Sequence, residues 1–348
     1  MATFEREKLV SILTDARPAL SGGGILPELS HFWFDEKYVY AYDGGLGVRL
    51  ALETNLNCGV PGKVFYDLLK TSTLKEVFLD VVKETVVLQM GKAKVQVATL
   101  DKERGPWPFP ASAPKKAVSL TLTEEILVAL RQVMFVKTSD ATQAVHHGVV
   151  FEPFDDHLEL FTTDGNSMAR VTVEEQLPED VPRFVAPWGF LGRILELVEP
   201  DSKLFILDDC LLAGGGDVLI CSNLLELPDA PNLIKTLGAH LTKDKPVALP
   251  AGFQAVLDRA LILAGSEEPL LTLTIDGETL RIEGDYDVGS VNEKLSVPKS
   301  KMPTVSVRFV ANLLVRGLGH AETFTLSKKS IVLYGGENFL YLLAAKGK

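Results

Sequence analysis

The sequence is poor in cysteine and in positive charge, and each shortage argues against a class of protein. The three cysteines, Cys58, Cys210 and Cys221, are an odd number without close spacing, which argues against a disulfide framework or a zinc site. Lysine and arginine number 35 against 46 acidic residues, and the formal net charge of −11 excludes a uniformly basic nucleic-acid-binding protein. Positive charge concentrated on one face stays compatible with DNA binding.

Long apolar runs and an N-terminal leader are lacking as well. No stretch approaches the length of a membrane span, and no basic segment followed by an apolar one opens the sequence. We therefore expect a soluble, cytoplasmic protein. Hydrophobic residues make up 46% of the 348 residues, enough for sizeable cores, and the length predicts two or three domains.

The sequence does contain a helical pattern that occurs three times. EKLVSILTDA from Glu7, EEILVALRQV from Glu124 and AGFQAVLDRA from Ala251 carry apolar residues at i, i+3, i+4 and i+7, the stripe of an amphipathic helix. A second apolar stripe follows each first one at a similar distance. Common order, spacing and phase indicate a repeated module. The predicted helices cover residues 4–16, 62–73, 123–137, 187–199, 250–264 and 307–319, with Val64 and Phe309 among the inward residues.

Between and after the helices, the apolar period changes to two and β-branched and aromatic residues predominate. This alternation predicts antiparallel strands, with turns at Gly91, at Gly214–Gly216 and at Gly335–Gly336. The stretch FTTDGNSMARV raises the question of whether Asp164 is a catalytic carboxylate or part of a turn. Asp-Gly between apolar runs is a strong hairpin signal, because glycine accepts positive φ and the aspartate bonds nearby backbone N–H groups.

A sequence similar to this hairpin occurs in the first copy. YDGGLGVRL matches TDGNSMARV, and in both an arginine, Arg49 or Arg170, stands five residues after the first glycine. EGDYDVGSV from Glu283 is a weak third version. A feature repeated in this way is structural, so we assign Asp164 to a turn.

Each copy is therefore helix, strands, helix, strands. We predict an α+β protein of three tandem domains, in each of which two helices pack on antiparallel sheets. The Pro-rich segment 103–116 and the segment 229–246 link the predicted domains. The predicted domains are residues 1–115, 116–243 and 244–348.

Tandem domains of this kind resemble the bacterial DNA polymerase sliding clamp, the β subunit of the replicative polymerase. Matching pieces are ILPELSHFWF, MGKAKVQVATL before a Pro-Phe-Pro joint, GVVFE before TTDG, LLELPD at the second joint and the final NFLYLLAAKGK. The resemblance covers essentially the whole chain. It implies a non-catalytic processivity factor, without cofactor or metal, that forms a head-to-tail homodimeric ring around double-stranded DNA. The implied partners are DNA polymerase, the clamp loader and other proteins that carry a clamp-binding motif, with no membrane.

In the family, helices line the hole of the ring. The six predicted helices together carry a net charge of +1 in a chain of −11, as a hole that admits phosphates requires. Gly23 stands where the family often carries an arginine that touches DNA, which weakens that contact. The candidate DNA-facing residues, whose contacts would be independent of base sequence, are Arg6, Lys8, Lys63, Lys70, Arg131, Lys137, Arg193, Arg259, Arg308 and Arg316.

The resemblance also implies an apolar pocket, between the second and third domains, that takes a short linear peptide of a partner protein. This chain departs from the family there: Asn166-Ser167 replaces His-Arg, Asn232 replaces Arg and Ala344-Ala345 replaces Met-Pro. A changed motif preference is expected, as for a divergent or phage-encoded clamp. The implied pocket residues are Thr163, Gly165, Met168, Gln143, Val145, Pro228, Leu233, Leu342 and Leu343.

For the dimer interface, the resemblance points to an apolar contact between the first domain of one chain and the third domain of the other. Alternation along KVQVATL makes an edge-strand pairing plausible. The implied interface residues are Val95 and Val97 on one side and Ile262 and Leu263 on the other.

Two other functions compete with the clamp. A metal-dependent enzyme would use paired carboxylates such as Asp155-Asp156 or Asp208-Asp209. These pairs fall at hairpin tips and lack the context of a metalloprotease helix, a phosphate loop or a nucleophile elbow, so no catalytic residue is assigned. A repeat scaffold that binds peptides without encircling DNA is the second alternative.

Overall fold

The computed structural model describes residues 2–23, 26–109, 117–137, 144–225, 232–266, 268–299 and 302–347. Within these ranges, no helix has both the length and the apolar character needed to cross a bilayer. The chain divides into two compact units, which we call unit 1 (Met1–Glu124 with Pro187–Leu224) and unit 2 (Glu125–Ala186 with Leu225–Lys348). The division into three domains in chain order stays a prediction.

Copy 1 of the repeat begins the chain. Its elements are β1 (Ala2–Glu5), α1 (Arg6–Ala16), β2 (His31–Phe34), β3 (Tyr38–Tyr42), β4 (Leu46–Ala51), β5 (Cys58–Pro61), α2 (Gly62–Thr71), β6 (Glu76–Val82), β7 (Thr85–Met90) and β8 (Ala93–Ala98), followed by the short β9 (Leu100–Asp101).

Copy 2 has the same order of elements. They are β10 (Val118–Leu122), α3 (Glu124–Val133), β11 (Gly148–Pro153), β12 (Leu158–Thr163), β13 (Ser167–Val173), β14 (Phe184–Pro187), α4 (Trp188–Leu197), β15 (Ser202–Ile206), β16 (Cys210–Gly215) and β17 (Val218–Asn223).

Copy 3 repeats the order once more, after an additional helix α5 (Leu233–Gly238). It consists of β18 (Val247–Ala248), α6 (Phe253–Ala264), β19 (Leu270–Asp276), β20 (Thr279–Tyr286), β21 (Gly289–Ser296), β22 (Val305–Val310), α7 (Ala311–Leu318), β23 (Thr323–Leu326), β24 (Ser330–Gly335) and β25 (Phe339–Ala344).

The strand pairing is also repeated. In every copy the first strand pairs antiparallel with the sixth: β1 with β6, β10 with β15 and β18 with β23. Unit 1 contains a sheet of order β1-β6-β7-β8 and another of order β10-β15-β16-β17-β4-β3-β2-β5-β9. Unit 2 contains the orders β14-β11-β12-β13-β25-β24-β23-β18 and β21-β20-β19-β22. Copy 2 therefore contributes strands to both units. The predicted α+β class with antiparallel sheets is confirmed.

The core of unit 1 lies where the helices cover the sheets. Helix α1 buries Leu9 and Leu13 on one face, as its apolar spacing requires. Helix α2 buries Phe65, whose ring meets that of Phe34 edge to face with centroids 6.2 Å apart. Burial of such a side chain stabilises the fold by about 1.5–3 kcal/mol.

Unit 2 is held together in the same way. Helix α6 buries Val256, Leu257 and Ala260, all fully covered. In the sheet, Phe151 of β11 stacks on Phe184 of β14 with ring centroids 4.5 Å apart. In each part of unit 2, the buried side chains follow the period of their element, 3.6 on the helix and two on the strands.

Two details of the helix prediction were wrong. The helix predicted over 307–319 begins at Ala311, because Val305, Val307 and Phe309 alternate inward on the strand β22. Arg308, predicted on that helix, therefore lies on a strand. Val64 was predicted to face the core, but its side chain is 54% exposed because α2 turns Phe65 and Leu69 inward instead.

Candidate functional site

The hairpin between β12 and β13 carries the first group of predicted site residues. Asp164 Oδ1 accepts hydrogen bonds from the N–H groups of Asn166, at 3.0 Å, and Ser167, at 2.7 Å. Thr163 Oγ1 donates to the Ser167 carbonyl at 2.8 Å and accepts from Gly165 N–H at 3.1 Å. Gly165 has a φ of 84°, a conformation that favours glycine. Asp164 is therefore a turn residue, as predicted.

The same turn occurs in copy 1. Asp43 Oδ1 accepts from the N–H groups of Gly45, at 2.8 Å, and Leu46, at 2.7 Å, and Gly44 has a φ of 104°. The similarity recognised in the sequence is thus a repeated hydrogen-bonding pattern. It leaves the Asp164 carboxylate committed to backbone N–H groups and to Arg316, whose Nη1 lies 3.6 Å from Asp164 Oδ2.

Four predicted pocket residues come together in one apolar cluster of unit 2. Val145, Met168, Leu233 and Leu342 are all at most 4% exposed and pack in this cluster. They come from four separate segments of the chain, so only the fold unites them. We call this group the apolar cluster; its other members are Val150, Phe161, Val185, Leu237, Val332 and Leu340, with the partly buried Leu225 and Tyr334 packed against it.

The remaining pocket predictions have different outcomes. Leu343 is buried but is not a member of the apolar cluster, because successive residues of a strand face opposite sides and Leu342 takes the cluster side. Thr163 and Gly165 lie in the adjoining turn, where a Cβ on Gly165 would stand 3.6 Å from the His146 ring. Gln143 and Pro228 lie outside the described residues.

Helix α5 was missed by the sequence analysis, although it supplies Leu233 and Leu237 to the cluster. Asn232 caps this helix: its Oδ1 accepts from Lys235 N–H at 2.8 Å. The signal was therefore present, as an Asn N-cap followed by leucines four residues apart. Ala345 N–H donates to the Lys329 carbonyl at 2.8 Å, a bond that the family's usual proline lacks the N–H to make.

The predicted DNA-facing residues lie on the six repeated helices or next to them, except Arg308, which lies on β22. Over the observed bounds, the formal net charge is +1 on α2 and on α7, −1 on α3 and zero on α1, α4 and α6. The net charge of the six helices together is therefore still +1. Lys8, Lys63, Lys70, Arg131 and Lys137 are exposed.

Four of the predicted arginines have acidic partners. Arg6 pairs with Glu7 at 3.2 Å and Arg193 with Glu196 at 2.6 Å. Arg316 pairs with Asp164, as described above. Arg259 donates through two nitrogens to Glu293, at 2.7 and 2.6 Å. Arg259–Glu293 is the most exposed of these pairs, with side chains 51% and 34% exposed. Because an exposed pair contributes at most about 1 kcal/mol, an approaching phosphate can replace the carboxylate there.

The predicted interface residues lie on or beside two terminal strands of sheets. β8 ends one sheet of unit 1 and carries the half-buried Val95 and the buried Val97. β21 ends one sheet of unit 2, and helix α6 beside it carries Ile262, which is 77% exposed, and the half-buried Leu263. Val288, in the turn before β21, is 75% exposed. Apolar side chains thus flank both terminal strands.

The acidic pairs considered for an enzyme lie on the surface. Asp155, Asp156, Asp208 and Asp209 are exposed. A hydrogen bond from the His157 ring, 2.6 Å from Asp156 Oδ1, lowers the pKa of Asp156. In the part of the chain that the structure describes, no group of three or more His, Cys, Asp and Glu side chains is arranged to hold a metal ion.

Comparison with known proteins places this architecture in a class. No family model matches the chain. The β sliding clamp of Synechococcus elongatus is 22% identical over 301 residues, which cover 81% of this chain and 78% of that protein. The solved sliding clamp of Bartonella birtlesii, DNA polymerase III subunit beta bound to griselimycin, has a TM-score of 0.87 and 20% identity, with 99% of both chains covered.

A second solved structure agrees with the first. The DNA polymerase sliding clamp of Bacillus subtilis has a TM-score of 0.84 and 18% identity, with 99% of this chain and 98% of that chain covered. The protein therefore has the sliding-clamp fold over its whole length, and the resemblance recognised in the sequence is confirmed for the fold.

Proposed function

We propose that this protein is a DNA sliding clamp, a non-catalytic processivity factor. Two copies close head to tail into a ring around duplex DNA, and the ring tethers a polymerase and other partners to the template. A tether of this kind raises the effective concentration of the partner without any new contact to the DNA sequence. The curated and solved relatives, all named as sliding clamps, support the proposal.

One observation carries it: the rule by which successive copies join. The fourth strand of copy 1, β4, pairs with the eighth strand of copy 2, β17. The fourth strand of copy 2, β13, pairs with the eighth strand of copy 3, β25. By this rule, the fourth strand of copy 3, β21, and the eighth strand of copy 1, β8, have no partner copy within the chain. Each of them is the terminal strand of its sheet.

A second copy of the chain supplies the missing partners. If β21 of one chain pairs with β8 of another by the same rule, the contact is head-to-tail, and two such contacts close a ring. The pairing also satisfies backbone groups that a terminal strand otherwise leaves to water. Val95, Val97, Ile262 and Leu263 then provide the apolar contact of the interface.

The helices provide the face toward DNA in this proposal. A net charge of +1 on six helices of a −11 chain leaves them less acidic than the rest of the molecule. Lysines on α1 and α2 and the arginines of the other helices contact phosphates without reading bases, which suits sliding.

The apolar cluster provides the docking site for partners. In the free protein Met168 closes it, at 4% exposure. Because methionine is unbranched and has several rotatable bonds, its side chain can move to admit an apolar anchor of a partner peptide. Thr163, Gly165, Val145, Leu233 and Leu342 form the surrounding walls.

The interface is tested by mass in solution. The unmodified protein should sediment as a dimer of twice 37.9 kDa. Ile262→Asp should give monomers, because it introduces a charge at the interface while the residue's 77% exposure spares the fold. The control Leu241→Asp, at a residue 41% exposed on another surface of unit 2, should stay dimeric. A protein that is monomeric at every concentration would contradict the ring.

Encirclement is tested by topology. Protein loaded on nicked circular plasmid should co-elute with the DNA in gel filtration, and should be lost once a restriction enzyme linearises the plasmid. The rival function, a peptide-binding scaffold that does not encircle DNA, predicts the same retention before and after the cut.

A further inference from the structure

A cleft of about 600 Å³ in unit 2 concentrates positive charge. It lies where β25 ends, beside the turn between β23 and β24. Among the described residues, none of those that line it is acidic. We call it the basic cleft; its charged or ionisable lining residues are His240, Arg308, Lys328, Lys329 and Lys346.

The backbone fixes these side chains next to one another. Ala345 N–H donates to the Lys329 carbonyl, and Lys346 N–H donates to the Arg308 carbonyl, both at 2.8 Å. The tail after β25 is thus held between the β23–β24 turn and β22. On the third side, Ser330 Oγ donates to the carbonyl of His240 at 3.4 Å. The basic cleft is therefore built by fixed chain segments.

The charge in the cleft is largely uncompensated. Lys346 pairs with Glu268, Nζ to Oε1, at 2.6 Å, and it alone of the four cationic residues has an ion-pair partner within the described ranges. Arg308 also borders a neighbouring cavity lined by Glu268, Glu283 and Asp285, and these carboxylates weaken its contribution to the positive potential. Lys328 and Lys329 are exposed and are the main source of positive potential.

The imidazole of His240 also lines the basic cleft. Its Nδ1 atom is buried and has no hydrogen-bond partner among the described residues. Burial lowers the pKa of this imidazole, and the nearby charge of Lys329 lowers it further. A pKa below the ordinary 6.5 makes the neutral ring predominant at pH 7, so His240 adds little positive charge to the basic cleft.

The basic cleft and the apolar cluster are neighbours along β25. Ala344 lines the cleft, and it lies on the same face of β25 as Leu342, two residues or about 7 Å along the strand. Ala344 N–H donates to the Asn166 carbonyl at 2.9 Å, so the docking-site hairpin borders both regions. A single extended peptide can occupy the two together.

We propose that the basic cleft binds an acidic segment, rich in Asp and Glu, that adjoins the apolar anchors of a partner's docking peptide. The inference rests on the proposed function, whose peptide site it extends, and it names the chemistry of the partner. Lys328 and Lys329 attract the carboxylates, and the small side chains of Ala344 and Ala345 leave the passage from the apolar cluster open.

The test uses labelled peptides that share one leucine–phenylalanine anchor and differ only in the flanking residues, which are all Asp, all Asn or all Lys. Fluorescence anisotropy at low salt should rank the affinities in that order, with the Asp peptide about tenfold tighter than the Asn peptide, because several weak charge pairs act together. High salt should remove most of this difference, since it screens exposed charges.

Charge reversal identifies the residues responsible. The double variant Lys328→Glu/Lys329→Glu should abolish or reverse the preference for the Asp peptide. The control Lys243→Glu/Lys245→Glu changes the net charge equally, at exposed residues of unit 2 that do not line the cleft, and should keep the preference.

Equal affinity for the three peptides, including no binding of any, would overturn the proposal, as would a preference that survives in the cleft variant. Displacement of the Asp peptide from the cleft by short duplex DNA would assign the site to phosphates and overturn it too. Plasmid retention separates these results from the proposed function: a protein that encircles DNA but shows no charge preference refutes only the acidic partner.

Discussion

Two strand pairings join successive copies, and we call them the strand joints: β4 with β17 in unit 1, and β13 with β25 in unit 2. They share one backbone pattern but differ in the side chains that pack there. At the same register position, Gly47 faces Cys221 in the first joint and Met168 faces Leu342 in the second. Each pair follows an Asp-capped hairpin. Side-chain size at one position therefore distinguishes two otherwise equivalent places.

In unit 1 the small pair makes room for aromatic rings. Phe109 belongs to a buried cluster with Tyr40 and Cys221, and its ring lies 6.1 Å from that of Tyr40 and 5.4 Å from that of Trp107. The rings of Trp107 and Phe109 come from the Pro-rich segment after copy 1. Rigid, large side chains close this joint, so it offers no place for a partner.

In unit 2 the segment after copy 2 forms helix α5, which brings Leu233 and Leu237 to the joint. Aliphatic side chains and Met168 predominate there, together with the ring of Phe161. Because these side chains adapt more readily than packed rings, the second joint is suited to admit a peptide. In the proposed function, the connecting segments distinguish the place that takes a peptide from the equivalent place that does not.

The largest effect is expected at the aromatic joint. Phe109→Ala should lower the free energy of unfolding of unit 1 by about 3–5 kcal/mol, because it leaves a cavity. Urea unfolding followed by tryptophan fluorescence reports on unit 1 alone, since Trp33, Trp107 and Trp188 all belong to it. Leu241→Ala, on the surface of unit 2, should leave this transition unchanged. A loss below about 1 kcal/mol would contradict the rigid joint.

Two substitutions on neighbouring strands sharpen the assignment of the peptide site. Leu343→Ala should destabilise unit 2 by about 2–4 kcal/mol, yet leave the affinity for the Asp peptide unchanged, because Leu343 faces away from the apolar cluster. Met168→Ala should weaken peptide binding about tenfold. Circular dichroism and anisotropy separate the two effects. The opposite result would move the site to the other face of β25.

The next effect concerns the small residue of the first joint. A Cβ on Gly47 would lie 2.5 Å from Cys221 Sγ and 3.2 Å from Phe109, so Gly47→Ala should cost unit 1 about 1–3 kcal/mol. Gly45→Ala is the matched control, because its Cβ would approach no atom closer than 3.7 Å. If both variants unfold at the same urea concentration, Gly47 is not what admits the aromatic rings.

The two hairpins should respond alike to loss of their aspartates. Asp43→Ala and Asp164→Ala each remove an acceptor of two backbone N–H groups, with an expected cost of about 1–2 kcal/mol. Asp164→Ala also removes the partner of Arg316 and should cost slightly more. Thermal unfolding measures both. A neutral Asp43→Ala beside a costly Asp164→Ala would show that the hairpins are not equivalent.

The smallest effect is a pH dependence. Burial lowers the pKa of His31 in unit 1 and of His320 in unit 2 below the ordinary 6.5. The unfolded chain therefore takes up protons before the folded chain does, and stability should fall as the pH drops through 6.5. His320→Phe keeps the stack on Phe135, 4.8 Å between ring centroids, and should reduce the dependence. An unchanged profile in this variant would exclude His320 as a contributor.

Much of the fold could be predicted because it depends on local patterns. The apolar stripes located all six repeated helices, and the Asp-Gly signals located the hairpins at Asp43 and Asp164. These features depend on residues close in sequence. The start of the helix at Ala311 was missed because VSVRFV alternates as a strand and no capping residue marks the boundary.

The site was harder to predict, because its members meet only through strand pairing. Met168 and Leu342 face each other across β13 and β25, a register that neither segment specifies alone. Helix α5 was missed because its segment was interpreted as a linker between domains. The core position of Phe109 was missed in the same way, because its Pro-rich context suggested an exposed linker. The residue is in fact only 3% exposed.

The split of copy 2 between the units has a consequence for dissecting the molecule. A fragment that stops near residue 115 would lack β15–β17, and the N–H and C=O groups of β4 that bond to β17 would be open to other chains. We expect such a fragment to aggregate through that edge. A polypeptide that corresponds to one unit would have to be made by joining two separate stretches of the sequence, because neither unit is a continuous stretch of polypeptide.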